Sequence, residues 1–386
     1  MVKRNLLAAG ISAAVLCIIL ALAASPTLVS RMATHADSPK VVTATTINGL
    51  TRIAVVGSTQ FIVDAHGRTV NVDANPYGVA FAPATIAASR NPNVLKAGDI
   101  VVTNIGANDT GITLVRFPGK MGPGRLFNAV PNKGTKGPSG EAFNTLTGTD
   151  WVANTSGNNV QIFLPDGNVF ATLTSPLFNK PWGQAFNHGT RNPFDGSVDA
   201  FFSSNVADAT IDRIDVVTVK GRPTFRIFQI GQLARTGGET KIGMQWIPVL
   251  QFKGKVYRDV LLAVDPAMNR IAAFPNSSSI HTANGRPADK GITLFQGRPL
   301  NMPIGLTINP LNGDLLVVNA NDNNLVELNL AASRVVGVRL LDNVPVDPKT
   351  GNGSALIGVA ATIDARRNLE VFFTDDNTNT LDVLSI

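Results

Sequence analysis

The sequence predicts an all-β fold, a six-bladed β-propeller, and three observations predict it. A short core resembling Pro-x-Gly-x-Ala-Phe recurs six times, with glycines at Gly78, Gly140, Gly183, Gly243, Gly305 and Gly358, spaced 62, 43, 60, 62 and 53 residues apart. Each core is followed by the same series of short strands and turns, and a four-stranded unit at that period is a propeller blade. The composition agrees: of 386 residues, 44% are hydrophobic and 16% charged, with 35 Gly and 23 Pro. Soluble domains usually carry about 25% charged residues. Such a deficit argues against helical bundles and coiled coils, and the apolar content argues against a disordered chain. The length suits one large β architecture, which buries its core without disulfides or structural metals.

The cores read Pro76-Tyr-Gly-Val-Ala-Phe81, Pro138-Ser-Gly-Glu-Ala-Phe143 and Pro181-Trp-Gly-Gln-Ala-Phe186 in the first three repeats. The degenerate ones read Lys241-Ile-Gly-Met-Gln-Trp246, Pro303-Ile-Gly-Leu-Thr-Ile308 and Leu356-Ile-Gly-Val-Ala-Ala361. The glycine is expected to let the innermost strand approach its neighbours at the crowded axis, and the proline to fix the path into it. A second apolar strand follows, opened by Asp99, Asp150, Asp199, Asp259, Asp314 or Asn368. Next comes an Asn/Asp/Gly-rich turn, where Asn and Asp supply positive-φ conformations and side-chain-to-backbone bonds. A third strand follows, and in five repeats a fourth precedes the next core. The sixth repeat ends after its third strand. The segment Thr51 to Asp73 holds spare strands, such as those at Gln60 and Thr69, and one of them is expected to close the ring and remove the open sheet edge.

The start of the chain reads as a targeting segment. Lys3 and Arg4 precede an apolar run from Leu6 to Ala24, the layout of a secretory signal. The run exceeds a usual signal core, so an uncleaved membrane anchor is the alternative. Residues 1–36 are therefore read as signal peptide or anchor, 37–50 as a linker and 51–386 as the propeller. The expected location is secreted or periplasmic, or membrane-anchored with the propeller outside the cytoplasm. Cys17 is the sole cysteine, so thiol chemistry has no place in the remainder. Residues 1–36 hold three of the 33 basic residues and no acid, which lowers the net charge from +6 to +3. No basic run or stripe interleaved with aromatics appears, which speaks against nucleic acid as a partner. The expected partner is a protein or a small ligand, with membrane contact only through residues 6–24 if uncleaved, and the chain is expected to be a monomer.

The Pro-x-Gly-x-Ala-Phe cores, with turns such as Val152-Ala-Asn-Thr-Ser-Gly-Asn-Asn-Val160, resemble NHL-repeat-like six-bladed propellers, in particular uncharacterised exported bacterial members. The resemblance covers residues 50–386. It implies a fold that hosts binding scaffolds, lactonases and lyases, so the fold alone does not choose among them.

In an up-and-down blade, the start of strand 1 and the end of strand 2 share a face. One mouth of the channel is therefore expected to carry Tyr77, Ser139, Trp182, Ile242, Ile304 and Ile357, ringed by Asn104, Asn154, Ser204, Asp265, Asn319 and Asp375. Glu141 and Gln184 depart from the apolar residue found just after the other core glycines (Val79, Met244, Leu306, Val359), and departures from a local rule often mark sites. The ligand-binding candidates are Tyr77, Glu141, Trp182, Gln184, Asn104, Asn154 and Asn319. Propeller lactonases and lyases generally hold a metal with His, Glu, Asp or Asn of several inner strands. His35 and His66 precede the repeats, His188 falls on the face opposite the candidate mouth and His281 in an inter-strand loop, which disfavours a histidine zinc site or base. Glu141, Asp265 and Asp375 remain as candidates for an oxygen-only Ca²⁺ site, although no Asp-x-Asp-x-Asp-Gly loop is present. No nucleophile elbow, phosphate loop or dinucleotide fingerprint occurs, and no cofactor is expected beyond Ca²⁺. The leading expectation is an exported, non-catalytic propeller that binds through its loops or channel mouth. The alternative is a metal-dependent lactonase or lyase.

Overall fold

The computed structural model describes residues 44–386 except 65, 92, 120–121, 129–132, 190–198, 221, 280–288 and 348. The described residues are almost entirely strand and turn, and six four-stranded antiparallel sheets form the blades of a propeller. Blade 1 contains Pro76–Phe81, Ile100–Asn104, Thr113–Phe117 and Arg125–Leu126. Blade 2 contains Pro138–Phe143, Asp150–Asn154, Asn159–Phe163 and Val169–Leu173. Blade 3 contains Pro181–Phe186, Asp199–Asn205, Thr210–Val219 and Arg222–Gln232. Blade 4 contains Met244–Phe252, Lys255–Asp265, Arg270–Phe274 and Ile292–Gln296. Blade 5 contains Pro303–Ile308, Leu315–Asn319, Asn324–Asn329 and Arg334–Leu340.

Blade 6 combines Leu356–Ile363, Leu369–Asp375 and Thr380–Ser385 with Arg52–Ser58 from the other end of the propeller. The closing strand runs antiparallel to the last one, from Arg52 opposite Ser385 to Ser58 opposite Thr380, with a bulge between Val55 and Gly57. It comes from the expected segment, but from its first residues. The two strands named there, around Gln60 and Thr69, instead pair with each other as the hairpin Phe61–Val63 with Thr69–Asn71. Residues 44–50, read as linker, pack on the propeller. Ile47 and Leu50 are buried beside Leu316, Leu369 and Phe373, and the Ile47 amide donates to Glu327 Oε2 at 2.8 Å. No helix among the described residues is long and apolar enough to cross a membrane. The targeting segment 1–36, His281, residues 120–121 and 129–132 of the loop 120–136, and residues 190–197 of the loop 188–197 lie outside the described residues.

The apolar faces of the central strands pack blade on blade. Trp151 of blade 2 stacks on Phe201 of blade 3, centroids 3.7 Å apart at 6°. At the closing interface, Phe81 of blade 1 meets Phe372 of blade 6 edge-on at 5.4 Å. Ile100, Val102 and Phe117 fill the space around them with Phe372 and Val383. Each fully buried side chain of this kind stabilises the fold by about 1.5–3 kcal/mol. The low charged fraction follows from this arrangement, because second and third strands such as Ile100–Asn104 and Arg270–Phe274 are buried along their whole length.

Two hairpins outgrow the blade pattern. Blade 3 lengthens its third and fourth strands to 10 and 11 residues. Blade 4 lengthens its first and second to 9 and 11. The corresponding second strands of blades 1, 2 and 5 have five residues.

Candidate functional site

The six core glycines sit in a closed ring. A Cβ placed on Gly78 would lie closer than 3.0 Å to the carbonyl oxygen of Ser139 in the next blade. The same holds for Gly140 against Trp182, Gly183 against Ile242, Gly243 against Ile304, Gly305 against Ile357 and Gly358 against Tyr77. Every partner is the residue just before the next core glycine, so the inner strands touch backbone to backbone around the whole axis. Strand 1 begins with a register shift at this point, as between Pro76 and Val79 or Pro138 and Glu141. In three blades a hydroxyl of strand 2 links the ring. Ser204 Oγ accepts from the Gly183 amide and donates to the Ile242 carbonyl, both at 2.8 Å. Thr103 does the same between Gly78 and Ser139, and Thr374 between Gly358 and Tyr77.

On one side of the glycine ring the residues before each glycine close the mouth. Tyr77, Trp182, Ile304 and Ile357 are buried together with Ile105, Val206 and Ala320 in one apolar cluster. The Tyr77 and Trp182 rings meet edge-on at 6.1 Å. Ile242 is fully buried in the cluster between blades 3 and 4. Ser139 Oγ is engaged with the Ala153 and Trp182 carbonyls at 3.3 and 3.2 Å. The residues expected at this mouth thus form an apolar plug. Lys241 lies on top of it. It occupies the position that is proline in four of the six cores, and reaches from blade 4 to blade 1, with Nζ 2.8 Å from the Tyr77 hydroxyl and 4.7 Å from its ring centroid. Burial disfavours the ammonium, but the Tyr77 oxygen and the nearby Glu239 and Asp109 carboxylates outweigh it and raise the Lys241 pKa. Asp376 stands beside it, the acid in a position that is Ile105, Val206 and Ala320 in the plug. Burial pushes its carboxyl up to about 6 against the opposing pull of Lys241. Asp376 Oδ1 and Trp182 Nε1 are buried without a hydrogen-bond partner in the protein.

Beneath the plug, whose Tyr77, Trp182, Ile304 and Ile357 also border it, Val79, Glu141, Gln184, Met244, Leu306 and Val359 line an axial cavity of about 70 Å³. That holds a few waters, whereas pockets for drug-sized ligands run to about 300–1,000 Å³. Gln184 Nε2 donates to Ser203 Oγ at 2.7 Å, and its Oε1 is unpartnered. Glu141 sits against Asp150, the acid that opens strand 2 of the same blade. All four carboxyl oxygens are buried with no protein donor, because two carboxylates can only accept. A shared proton resolves this. Burial first, then the neighbouring Asp150 charge, raises the Glu141 pKa well above the ordinary carboxylate range. Burial also lifts Asp150 to about 7. The pair therefore holds a proton in neutral solution, one acid bonding the other's carboxylate.

The structure separates the other candidates from the axis. Asn104, Asn154 and Asn319 are fully buried and are bonded into the frame. Asn104 Nδ2 donates to the Thr59 carbonyl at 2.9 Å, Asn154 Nδ2 to Asn159 Oδ1 at 3.0 Å, and Asn319 Nδ2 to the Pro299 carbonyl at 2.9 Å. The residue equivalent to them in blade 3 is Asn205, opposite Pro181, and not Ser204, which belongs to the ring. Asp265 forms a buried ion pair with Arg270 at 2.8 Å, and Asp375 accepts from the Thr378 amide at 3.1 Å. Neither lines the cavity that Glu141 lines, so Glu141, Asp265 and Asp375 do not form a metal site. Among the described residues no group of three or more His, Cys, Asp or Glu is placed to hold a metal ion. His188 lies on the far side, its ring between Phe186 and Trp246 and Nδ1 3.1 Å from Thr145 Oγ1.

Of the residues singled out in the sequence, Tyr77, Trp182, Glu141 and Gln184 lie at the axis; Lys241 and Asp376 stand beside the first two and Asp150 beside Glu141 without having been singled out. Lys241 was visible by the rule that exposed Glu141, a departure from the repeat.

No protein-family model matches the chain, and no curated protein matches it. Solved structures do. A Bacteroides thetaiotaomicron protein of unknown function is similar with a TM-score of 0.53 at 11% identity, over 86% of this chain and 75% of that one. An auxiliary nutrient binding protein from Bacteroides ovatus gives 0.49 at 11%, over 86% and 76%. Virginiamycin B lyase from Staphylococcus aureus gives 0.47 at 14%, over 87% and 99%. At these identities the likeness speaks for architecture alone, and on that level the chain is a six-bladed β-propeller.

Proposed function

We propose that this chain is an exported propeller that binds a protein or small ligand without transforming it, and that the ligand is received at the plugged mouth. The observation that supports this reading is the Lys241–Tyr77 contact over the plug. There a cation, a phenol, the unpartnered Trp182 Nε1 and the unpartnered Asp376 Oδ1 surround one apolar patch. Such a patch with a few placed polar groups is the usual make-up of a ligand seat. The reading is also supported by where the reactive residues are spent: Asp265, Asp375 and Ser139 are bonded into the frame.

A thermal-shift screen of amino acids, sugars, nucleosides and aromatic acids against the purified propeller tests the seat. The expected result is a stabilising compound whose shift disappears in Lys241→Met and in Trp182→Phe. Turnover of a lactone or ester, lost in Glu141→Gln, overturns the non-catalytic reading. Cell fractionation tests export, which a purely cytoplasmic protein would refute.

One observation favours the alternative of a metal-dependent lactonase or lyase. The oxygens of Glu141, Asp150 and Gln184 Oε1 are buried and without protein donors, which is where an oxygen-loving cation would be held. A Ca²⁺-dependent rise in melting temperature that Glu141→Gln removes supports that alternative, and an unchanged melting temperature rejects it.

A further inference from the structure

Antiparallel blades place the turns between strands 1 and 2, and between strands 3 and 4, on the face opposite the plugged mouth. The two overlong hairpins, in the adjacent blades 3 and 4, both turn on that face. Each turns at a lysine: Lys220, which follows Val219 of the pair Val219–Arg222, and Lys253 with Gly254, between Phe252 and Lys255. Lys253 and Gly254 have φ of 49° and 73°, the doubly positive geometry of a tight hairpin turn. In blade 4, Lys255 lies four residues beyond Asp259, the acid that opens strand 2 of the repeat. That carries the tip about 13 Å past the ordinary blade edge at roughly 3.3 Å per residue.

The composition of the tips is one-sided. Residues 216–228 contain three basic residues and no acid, and residues 247–258 again three and none. Lys220, Lys253, Lys255 and Arg258 are exposed. Between them stand exposed apolar side chains: Val219 at 45%, Val249 at 42% and Val256 at 58%. In blade 4 they form an ordered stripe. Val249 is opposite Arg258 and Gln251 opposite Val256, all on the outer face, while Leu250 and Phe252 on the other face join the core. Burial of Leu250 and Phe252 accounts for the inner face. Nothing in the fold accounts for a bare valine stripe among cations.

We propose that these two hairpin tips dock the propeller on an anionic lipid surface. Clustered cations supply the attraction, about 1 kcal/mol per Lys or Arg at such a surface, and the valines between them enter the headgroup boundary. A polyanion such as a nucleic acid or acidic polysaccharide would use the charge but has no use for the projecting valines, which is why lipid is favoured. The proposal concerns the face opposite the mouth, so it stands or falls independently of the ligand seat.

The test uses residues 43–386, which form a self-contained compact unit and lack the apolar run of residues 6–24. Co-sedimentation is measured with vesicles of phosphatidylcholine and of equimolar phosphatidylcholine and phosphatidylglycerol. Binding is expected only to the anionic vesicles and to weaken with added salt. Replacing Lys220, Lys253, Lys255 and Arg258 by Gln together is expected to lower partitioning on the order of a thousandfold. Val219→Ser with Val256→Ser lowers the part of binding that survives high salt. The pair Lys253→Gln and Lys255→Gln alone provides a milder variant, and unchanged thermal unfolding verifies each fold. Equal partitioning into neutral and anionic vesicles, or unchanged partitioning of the folded charge variants, overturns the proposal. So does binding to heparin without binding to vesicles, which would identify a soluble polyanion instead.

Discussion

Lys241 of blade 4 reaches over the propeller axis to Tyr77 of blade 1, its ammonium 2.8 Å from the phenol oxygen and 4.7 Å from the ring centroid. Blades 1 and 4 are opposite members of the ring, so one side chain ties the two halves together over the plug. Lys241→Met keeps most of the length of the side chain and removes the charge. It is expected to destabilise the propeller by about 1–2 kcal/mol, the scale of a partly desolvated cation–π contact with a hydrogen bond. Urea denaturation against the wild type measures it. An unchanged midpoint would show that the contact is made without net gain.

The glycine ring predicts a sharper effect. In Gly358→Ala the new methyl group meets the Tyr77 carbonyl and in Gly140→Ala the Trp182 carbonyl, both backbone atoms that no rotamer change can move. Each substitution is expected to cost at least about 2 kcal/mol, because overpacking at a backbone contact forces whole strands apart. Gly238→Ala is the control: its Cβ position is open, so its melting temperature should match the wild type.

Ring closure by Arg52–Ser58 predicts a change in association state. Val56 is buried in the cluster that joins blades 6 and 1, and the strand covers the outer edge of Thr380–Ser385. A chain beginning at residue 60 would expose that edge, a template for pairing with another chain. Light scattering should find oligomers or aggregates of it, and monomers of a chain beginning at residue 43.

The repeat made the architecture legible because propeller geometry is periodic: a glycine at each inner strand start and an acid or amide at each second strand are needed six times over. The register within a repeat was less legible. Ser204 was aligned with Asn104 and Asn154, but Asn205 takes that position, because Ser204 and Asn205 are both polar and no spacing separates them. Asp150 passed as one more strand-opening acid like Asp99 and Asp259. Asp99 accepts from the Lys96 amide and Asp259 from the Ser278 amide, while Asp150 turns to Glu141. The basic face was invisible for a different reason. Lys220 and Lys253 are far apart in sequence, and only the antiparallel order of strands in blades 3 and 4 brings both turns to one face.

The Glu141–Asp150 pair predicts a pH dependence with a definite sign. Both folded-state pKa values are raised, so between the unfolded values near 4 and about 7 the folded protein holds more protons than the unfolded chain. Stability is then greatest below about pH 4 as far as this pair is concerned, and falls as pH rises through about 7. Asp212, which burial raises to about 8, adds to the same slope. Asp150→Asn replaces a charge-bearing oxygen with an amide that can donate to Glu141 without losing a proton. The variant should equal the wild type near pH 4 and exceed it at pH 8, by up to a few kcal/mol on the scale of about 1.4 kcal/mol per pKa unit. Urea midpoints at both pH values decide this. If the variant loses stability equally at both, the pair is not sharing a proton in the folded state.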